Sequence, residues 1–399
     1  MKARMRETLR LMTEGESEVP TGALTTHVGR EMSENRFTPL KDRHEALGAT
    51  FTDFGGWMMP VRYTSDLAEH KAVRESAGLF DISHMAEFII DGADAAAYLD
   101  FALAGRLSAM AVGKAKYSLL LAEDGGIIDD LIVYRMADER FLIISNAGNH
   151  DAVAAALTER VGDFGVEISD ISDDVALIAV QGPQAVAILE SMDSLVITAT
   201  PLAESAYYAW TEGDFGDVPV FIARTGYTGE DGFELLVPNS AAGELWDAVL
   251  EAGADRGLVP AGLAARDTLR LEAGMPLYGH ELTRETVPAQ SGLGRVVVAA
   301  KESFVGKEGL ESRDVSDAPV LIALSAEGRR AGRAGYGVFQ GDTQVGEITS
   351  GALSPTLGFP IAMALVHPGV REAEDLTIDV RGTRIPATIT TLPFYRRNS

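Results

Sequence analysis

From residue 37 onward, short runs rich in Ile, Leu and Val alternate with stretches whose apolar residues recur every three or four positions. The first pattern predicts strands and the second helices, because side chains repeat every two residues on a strand and about every 3.6 on a helix. "GGIIDDLIVY" (125–134) opens with the turn pair Gly125-Gly126 and reads as a strand. Alternation then puts Ile127, Asp129, Leu131 and Val133 on one face and Ile128, Asp130, Ile132 and Tyr134 on the other. Both faces are mostly apolar, so both are expected to be covered. At least one carboxylate therefore enters a poorly hydrated place, where an unpaired charge costs several kcal/mol. Either these aspartates lie on an edge and bond to water or a turn, or one is set to meet an N–H or a positive charge on a ligand.

The same reading organises the rest of the chain. A short helix after 37 leads to a strand broken by the Gly55-Gly56 bend, then to a helix over 65–76 with Ser65 as N-cap. "HMAEFIIDG" predicts a strand and "ADAAAYLDFAL" a helix. "AKYSLLLAEDGGIIDDLIVYRMADERFLIISNAG" predicts a three-strand meander, and "NHDAVAAALTERV" a helix. "VALIAVQGPQAVAILESM" predicts a strand and a helix opening at Pro183, and "VPVFIARTGYTGEDGFELLVP" a hairpin. "SAAGELWDAVLEAG" and "LAARDTLRLEAG" are helical by period. Strands and helices mix without a βαβ rhythm, which predicts an α+β fold. Beyond about residue 300 short strands recur at regular spacing, which predicts a separate β-barrel or sandwich. The expected division is 1–36, a disordered tail or over-long start, then 37–295 and 300–399.

Composition narrows the chemistry. The chain has 399 residues, no cysteine and a net charge of −25. Disulfides, thiolate metal sites and a cysteine nucleophile are thereby excluded. The seven histidines are scattered without an HExxH pair, so no metal site is expected. A general nucleic-acid-binding surface is not expected at this charge. No run approaches the roughly 18–20 apolar residues of a membrane span, and no secretory apolar core is present. These features fit a reducing cytoplasm, or a mitochondrial matrix in a eukaryote. Local basic patches stand against the overall field at Arg329, Arg330 and Arg333, and at Arg396 and Arg397.

The common catalytic motifs are absent: there is no GxxxxGK[ST], no GxGxxG after a strand and no GxSxG. What remains are polar residues in apolar or Gly-rich settings. They are the aspartate pair, Tyr227 and Glu234 in "RTGYTGEDGFELLVP", and Arg266 and Arg270, four apart on one helix. Each also admits a plain reading, as a solvated hairpin tip or an internal ion pair. Embedded acids with an arginine, aromatics and no nucleophile describe a site that binds and orients. A planar heterocycle with paired N–H groups, such as a pterin, matches a carboxylate in two places.

Six stretches in order carry a resemblance: "DFGGWMMPVRY", "AGLFDISHM", "GGIIDDLIVY", "RTGYTGEDGFE", "GLAARDTLRLEAGMPLYGHEL" and "PFYRR". Together they resemble the aminomethyltransferase family, the T-protein of the glycine cleavage system, from Phe37 to Arg397. The resemblance implies a three-domain cloverleaf, with two interleaved α+β domains around a folate cavity and a C-terminal β-barrel. It implies transfer of the one-carbon unit from the aminomethyl-lipoyl arm of H-protein to tetrahydrofolate, giving 5,10-methylenetetrahydrofolate and ammonia. Lipoylated H-protein and tetrahydrofolate are the implied partners, with no metal. Matched position by position, Asp129 is the implied catalytic carboxylate, with Asp130 on the opposite face as structural. Tyr227, Glu234, Arg266, Asn146, Tyr395 and Arg396 are the implied folate contacts. A related folate-dependent demethylase of a small sulfonium or N-methyl substrate is the alternative. A third is a non-enzymatic folate-binding scaffold, disfavoured because its KGCYxGQE-like motif needs a cysteine.

Overall fold

Ser65 ends an extended segment and accepts a hydrogen bond from the Ala68 backbone N–H at 3.1 Å, which starts the helix Asp66–Glu75 as the sequence pattern predicts. The computed structural model describes residues 35–397, so the expectation for the N-terminal tail lies almost entirely outside the described residues. The hairpin Thr50–Phe54 and Trp57–Arg62 turns at Gly55 and Gly56, both left-handed. The helix expected to open at Pro183 begins two residues later, at Ala185–Glu190.

Two sheets form the body. The larger has seven strands in the order Leu195–Ile197, Trp210–Phe215, Val218–Ala223, Gly232–Pro238, Val175–Gln181, Ala77–Asp81 and Leu258–Pro260. The smaller has five: Ala115–Leu121, Ile127–Ala137, Arg140–Ser145, Ala86–Asp91 and Glu167–Asp170. Apart from the last pair of the larger sheet, neighbouring strands run antiparallel.

Alternation along each strand then builds the layers. On Gly232–Pro238, Phe233, Leu235 and Val237 pack against Trp246 of the helix Asn239–Gly253. Leu236 points the other way, into a cluster with Tyr134, Met136, Leu142 and Ile144 of the smaller sheet. On Ile127–Ala137, Leu131 and Val133 face away from the larger sheet, toward the helices Ala95–Ala102 and His150–Glu159. The order is helices, seven-stranded sheet, five-stranded sheet, helices.

The C-terminal strands close into a barrel, Val320–Ala326, Pro360–Val366, Thr343–Leu353, Gly337–Gln340, Leu376–Val380 and Thr383–Thr390. Closure removes the open edges that short strands otherwise leave. The barrel docks on the helix Leu263–Glu272, where Leu271 meets Ala352, Ile361 and Met363. Beside that contact, Arg270 donates to Ser350 Oγ at 2.8 Å.

Candidate active site

A cavity of about 340 Å³ lies between the two sheets. Ile132, Tyr134 and Ile144 form its five-stranded wall, and Leu177 and Glu234, with Ile82 just past the strand Ala77–Asp81, its seven-stranded wall. Arg266 and the segment 275–278 contribute to a third side. Gly55 and Gly148 bring two loops together at the wall; a Cβ on Gly55 would stand 3.2 Å from the Gly148 nitrogen. Tyr208 also lines the cavity, with φ at 58°, a strained backbone state for a bulky residue. It is pinned there, donating to Arg224 O at 3.0 Å and accepting from the Ala115 N–H at 2.9 Å.

The two aspartates of the strand Ile127–Ala137 part at the cavity wall. Asp130 lines the cavity with Ile132 and Tyr134, and Asp129 stands behind the wall with no exposed surface. The alternation holds, but the face toward the second sheet is that of Asp130, and the face of Leu131 and Val133 is covered by helices. Asp129 Oδ2 accepts from the Asn146 backbone N–H at 3.0 Å, and Oδ1 from Asn146 Nδ2 at 2.8 Å and Asn149 Nδ2 at 2.6 Å. Asn146 Nδ2 also lies 2.9 Å from Asp130 Oδ1. Tyr117, on the neighbouring strand, donates to Asp130 Oδ2 at 3.0 Å. Burial raises both carboxyls well above the ordinary range; the charge of Asp130 adds to the rise at Asp129, and the asparagine bonds oppose it. Burial beside Asp130 raises the Tyr117 phenol too, so its hydroxyl keeps its proton and donates.

Glu234 enters from the opposite wall, on the same strand face as Leu236. Thr225 Oγ1 donates to its Oε2, and Tyr134 bonds to Thr225 at 3.0 Å. Burial raises the Glu234 carboxyl, partly offset by Thr225 and by the Arg266 guanidinium. Tyr227 donates to the Pro276 carbonyl, and Arg266 lies over its ring at 4.6 Å from the centroid. Gln181 braces the loop, donating to the Thr225 carbonyl at 3.1 Å and accepting from Thr228 Oγ1 at 2.9 Å. A Cβ on Gly226 would come within 2.0 Å of Gln181 Oε1, so this bracing needs glycine. His84 lines the cavity with an unpartnered, buried Nδ1. Burial, with Arg266 beside it, pushes His84 down to about 4, so its ring is neutral at pH 7.

Arg266 and Arg270 start from one helix but part company. Arg266 faces the cavity, while Arg270 is buried against Glu281 at 3.2 Å and Asp267 at 2.7 Å. Tyr395 and Arg396 are not on the cavity wall. Tyr395 lies under the Arg74 guanidinium at 4.1 Å and donates its backbone N–H to the Glu272 carbonyl at 2.8 Å. Arg396 is exposed. Among the described residues no cluster of three or more His, Asp or Glu is placed to hold a metal ion, and no helix is long and apolar enough to cross a membrane.

Residues 40–301 match the GCVT N-terminal domain, and 320–396 match the glycine cleavage T-protein C-terminal barrel domain. Together these cover well over half of the chain. The chain belongs to the glycine cleavage T-protein family. It is 53% identical over 372 residues to an aminomethyltransferase of Cutibacterium acnes, covering 92% of this chain and all of that one. It is 51% identical over 378 residues to an aminomethyltransferase of Streptomyces avermitilis, again covering 92% of this chain and all of the relative. The crystal structure of the glycine cleavage system aminomethyltransferase T from Bartonella henselae superposes with a TM-score of 0.83 at 36% identity, over 91% of this chain and 98% of that one.

In this T-protein the cavity also draws in residues that sequence reasoning missed: Tyr117, His84, Asn149 and Tyr208. A signal for Tyr117 was present. The "AEDGG" turn fixes the hairpin register, which pairs Tyr117 with Ile132 and puts it beside Asp130. Asn149 follows Asn146 by one turn of the 3₁₀ helix Ala147–Asn149, a repeat visible in "SNAGN". His84 and Tyr208 carry no local signal, since their roles arise from loops meeting in space.

Proposed function

We propose that this aminomethyltransferase takes the aminomethyl group from the lipoyl arm of H-protein and transfers its carbon to tetrahydrofolate held in the cavity between the sheets. The observation that carries the reading is the opposition of Glu234 and Asp130 across one cavity, with Arg266 and Tyr227 on a third side. The volume, about 340 Å³, falls in the range of small-molecule sites, and the walls are mostly apolar and aromatic with few polar groups. That donor and acceptor set fits a reduced pterin. Glu234 offers a buried carboxylate to the N–H edge of the ring, and the neutral His84 offers a further polar contact.

In this reading Asp130, rather than the expected Asp129, meets the reacting nitrogens. Its carboxylate, held by Tyr117 and Asn146, orders the folate and stabilises the positive charge that develops as N5 attacks the methylene carbon and ammonia departs. Because Tyr395 and Arg396 lie off the wall, folate contact from them is proposed only for its outer part. The products are 5,10-methylenetetrahydrofolate, ammonia and the dihydrolipoyl form of H-protein. No metal takes part in the proposal, and the proposed compartment is the cytoplasm. Ammonia release from aminomethylated H-protein, with and without tetrahydrofolate, tests the reading; release that does not depend on folate overturns it.

Two expected results follow from this placement. Glu234→Gln raises the tetrahydrofolate Kd about tenfold, for the loss of roughly 1.5–3 kcal/mol in a charge-assisted bond. Isothermal titration reads this directly, and an unchanged Kd removes Glu234 from the pterin contact. The second result concerns H-protein. Arg329 and Arg330 are exposed at a barrel turn of a protein with a net charge of −25. We expect Arg329→Glu with Arg330→Glu to raise the KM for H-protein while the folate Kd stays within about twofold, since screening limits the reach of surface charge to about 8 Å. Unchanged KM at low and high salt would move the docking face elsewhere.

A further inference from the structure

Asp129 is a buried carboxylate that touches no cavity surface, yet one side-chain nitrogen ties it to the carboxylate that does. Asn146 Nδ2 lies 2.8 Å from Asp129 Oδ1 and 2.9 Å from Asp130 Oδ1. Two carboxylates that share one amide group sit close enough for the charge on either to oppose ionisation of the other. No lysine, arginine or histidine among the described residues bonds to either group. Phenols face the pair from the adjacent strand, Tyr117, and from the segments around it, Tyr208, Tyr227 and Tyr278; Glu234, His84 and Arg266 face Asp130 across the cavity. No positive group therefore bonds directly to a second negative charge in this wall.

We propose that Asp129 is a positioning residue for the transfer: through the shared Asn146 amide it fixes the orientation of the Asp130 carboxylate and sets the pH at which Asp130 ionises. The two aspartates titrate as one unit: the first negative charge is shared between them, and Asp130 is fully ionised only when the second proton leaves. Asp129 receives three N–H bonds, from the Asn146 backbone, Asn146 Nδ2 and Asn149 Nδ2, so it competes with Asp130 for the first charge without reaching substrate. Asp130 is left with the Tyr117 hydroxyl and the shared Asn146 amide, and with a face on the cavity. The inference rests on the functional reading only in its catalytic consequence; the shared titration is a property of the protein without substrate.

The test pairs an infrared titration of the protonated carboxyl bands with the pH profile of kcat, in wild type and Asp129→Asn. The Asp130 band is assigned by its loss in Asp130→Asn. Removal of the neighbouring charge is expected to move the Asp130 titration down by about one pH unit, and the acid limb of kcat with it. Asn149→Ala, which weakens only the support of Asp129, is expected to move both in the same direction by less. It serves as the second variant should Asp129→Asn fail to fold. If either folded variant lowers kcat equally at every pH and leaves the Asp130 band where it is in wild type, Asp129 is a packing residue and the proposal falls. If the band shifts but wild type releases no ammonia, the functional reading fails while the paired titration stands.

Discussion

Asp130→Asn lowers single-turnover ammonia release by at least about 100-fold, with a much smaller change in the tetrahydrofolate Kd. The size is that seen when one preorganised charge or donor is removed from a buried reaction site. The substitution keeps the side-chain shape: its one oxygen can accept from Asn146 while its NH2 donates to the Tyr117 hydroxyl, so the loss falls mainly on the charge. In the proposed reading substrate binding draws on Glu234, Arg266 and the aromatic wall, all of which line the cavity and which the substitution leaves in place. A fall of less than threefold, or an equal loss of folate affinity, would remove Asp130 from the reacting end of the cavity.

Glu272→Gln costs about 3 kcal/mol of stability, the magnitude expected when one partner of a buried ion pair loses its charge. Glu272 has no exposed surface and collects bonds from three parts of the fold. Arg74 of the helix Asp66–Glu75 donates to it at 2.7 Å, His70 of that helix lies 3.2 Å away, and Ser354 and the Thr356 N–H reach it from the barrel side. Burial alone would raise its carboxyl, but the His70, Ser354 and Arg74 contacts outweigh it and hold the group down at about 2. A carboxyl depressed in the folded state stabilises the fold above its unfolded value and loses that contribution as pH falls. The window therefore runs from about 4.5 down to about 2. Urea unfolding at pH 7 and across that window checks both claims. The variant should be less stable at pH 7 and should lose part of the acid dependence that wild type shows. Equal stability at pH 7 would show that Glu272 does not cement the barrel to the body.

Local rules carried much of the architecture. The Ser65 cap, the "EDGG" turn and the strand alternation each follow from a few adjacent residues, because hydrogen-bond geometry and side-chain period are local properties. Glu234 stood out for the same reason, as a carboxylate in an apolar strand after a Gly-rich loop, although a solvated hairpin tip fitted that pattern equally; it lines the cavity. The regular short strands after residue 300 foretold a β module, and they close into the barrel. Which of Asp129 and Asp130 lines the cavity was not legible. Both strand faces are apolar, so the pattern says that each is covered but not by what. Packing settled it: one face went to the helices and the other to the second sheet, where a cavity opens. The parting of Arg266 and Arg270 has the same cause, since Glu281 and Ser350, which claim Arg270, are distant in sequence or on the barrel. Nor does order along the chain bring His84, Tyr208, Tyr227 and Glu234 around one space. That convergence comes from burying two sheet faces against each other, a long-range economy of apolar surface that no window of neighbouring residues contains.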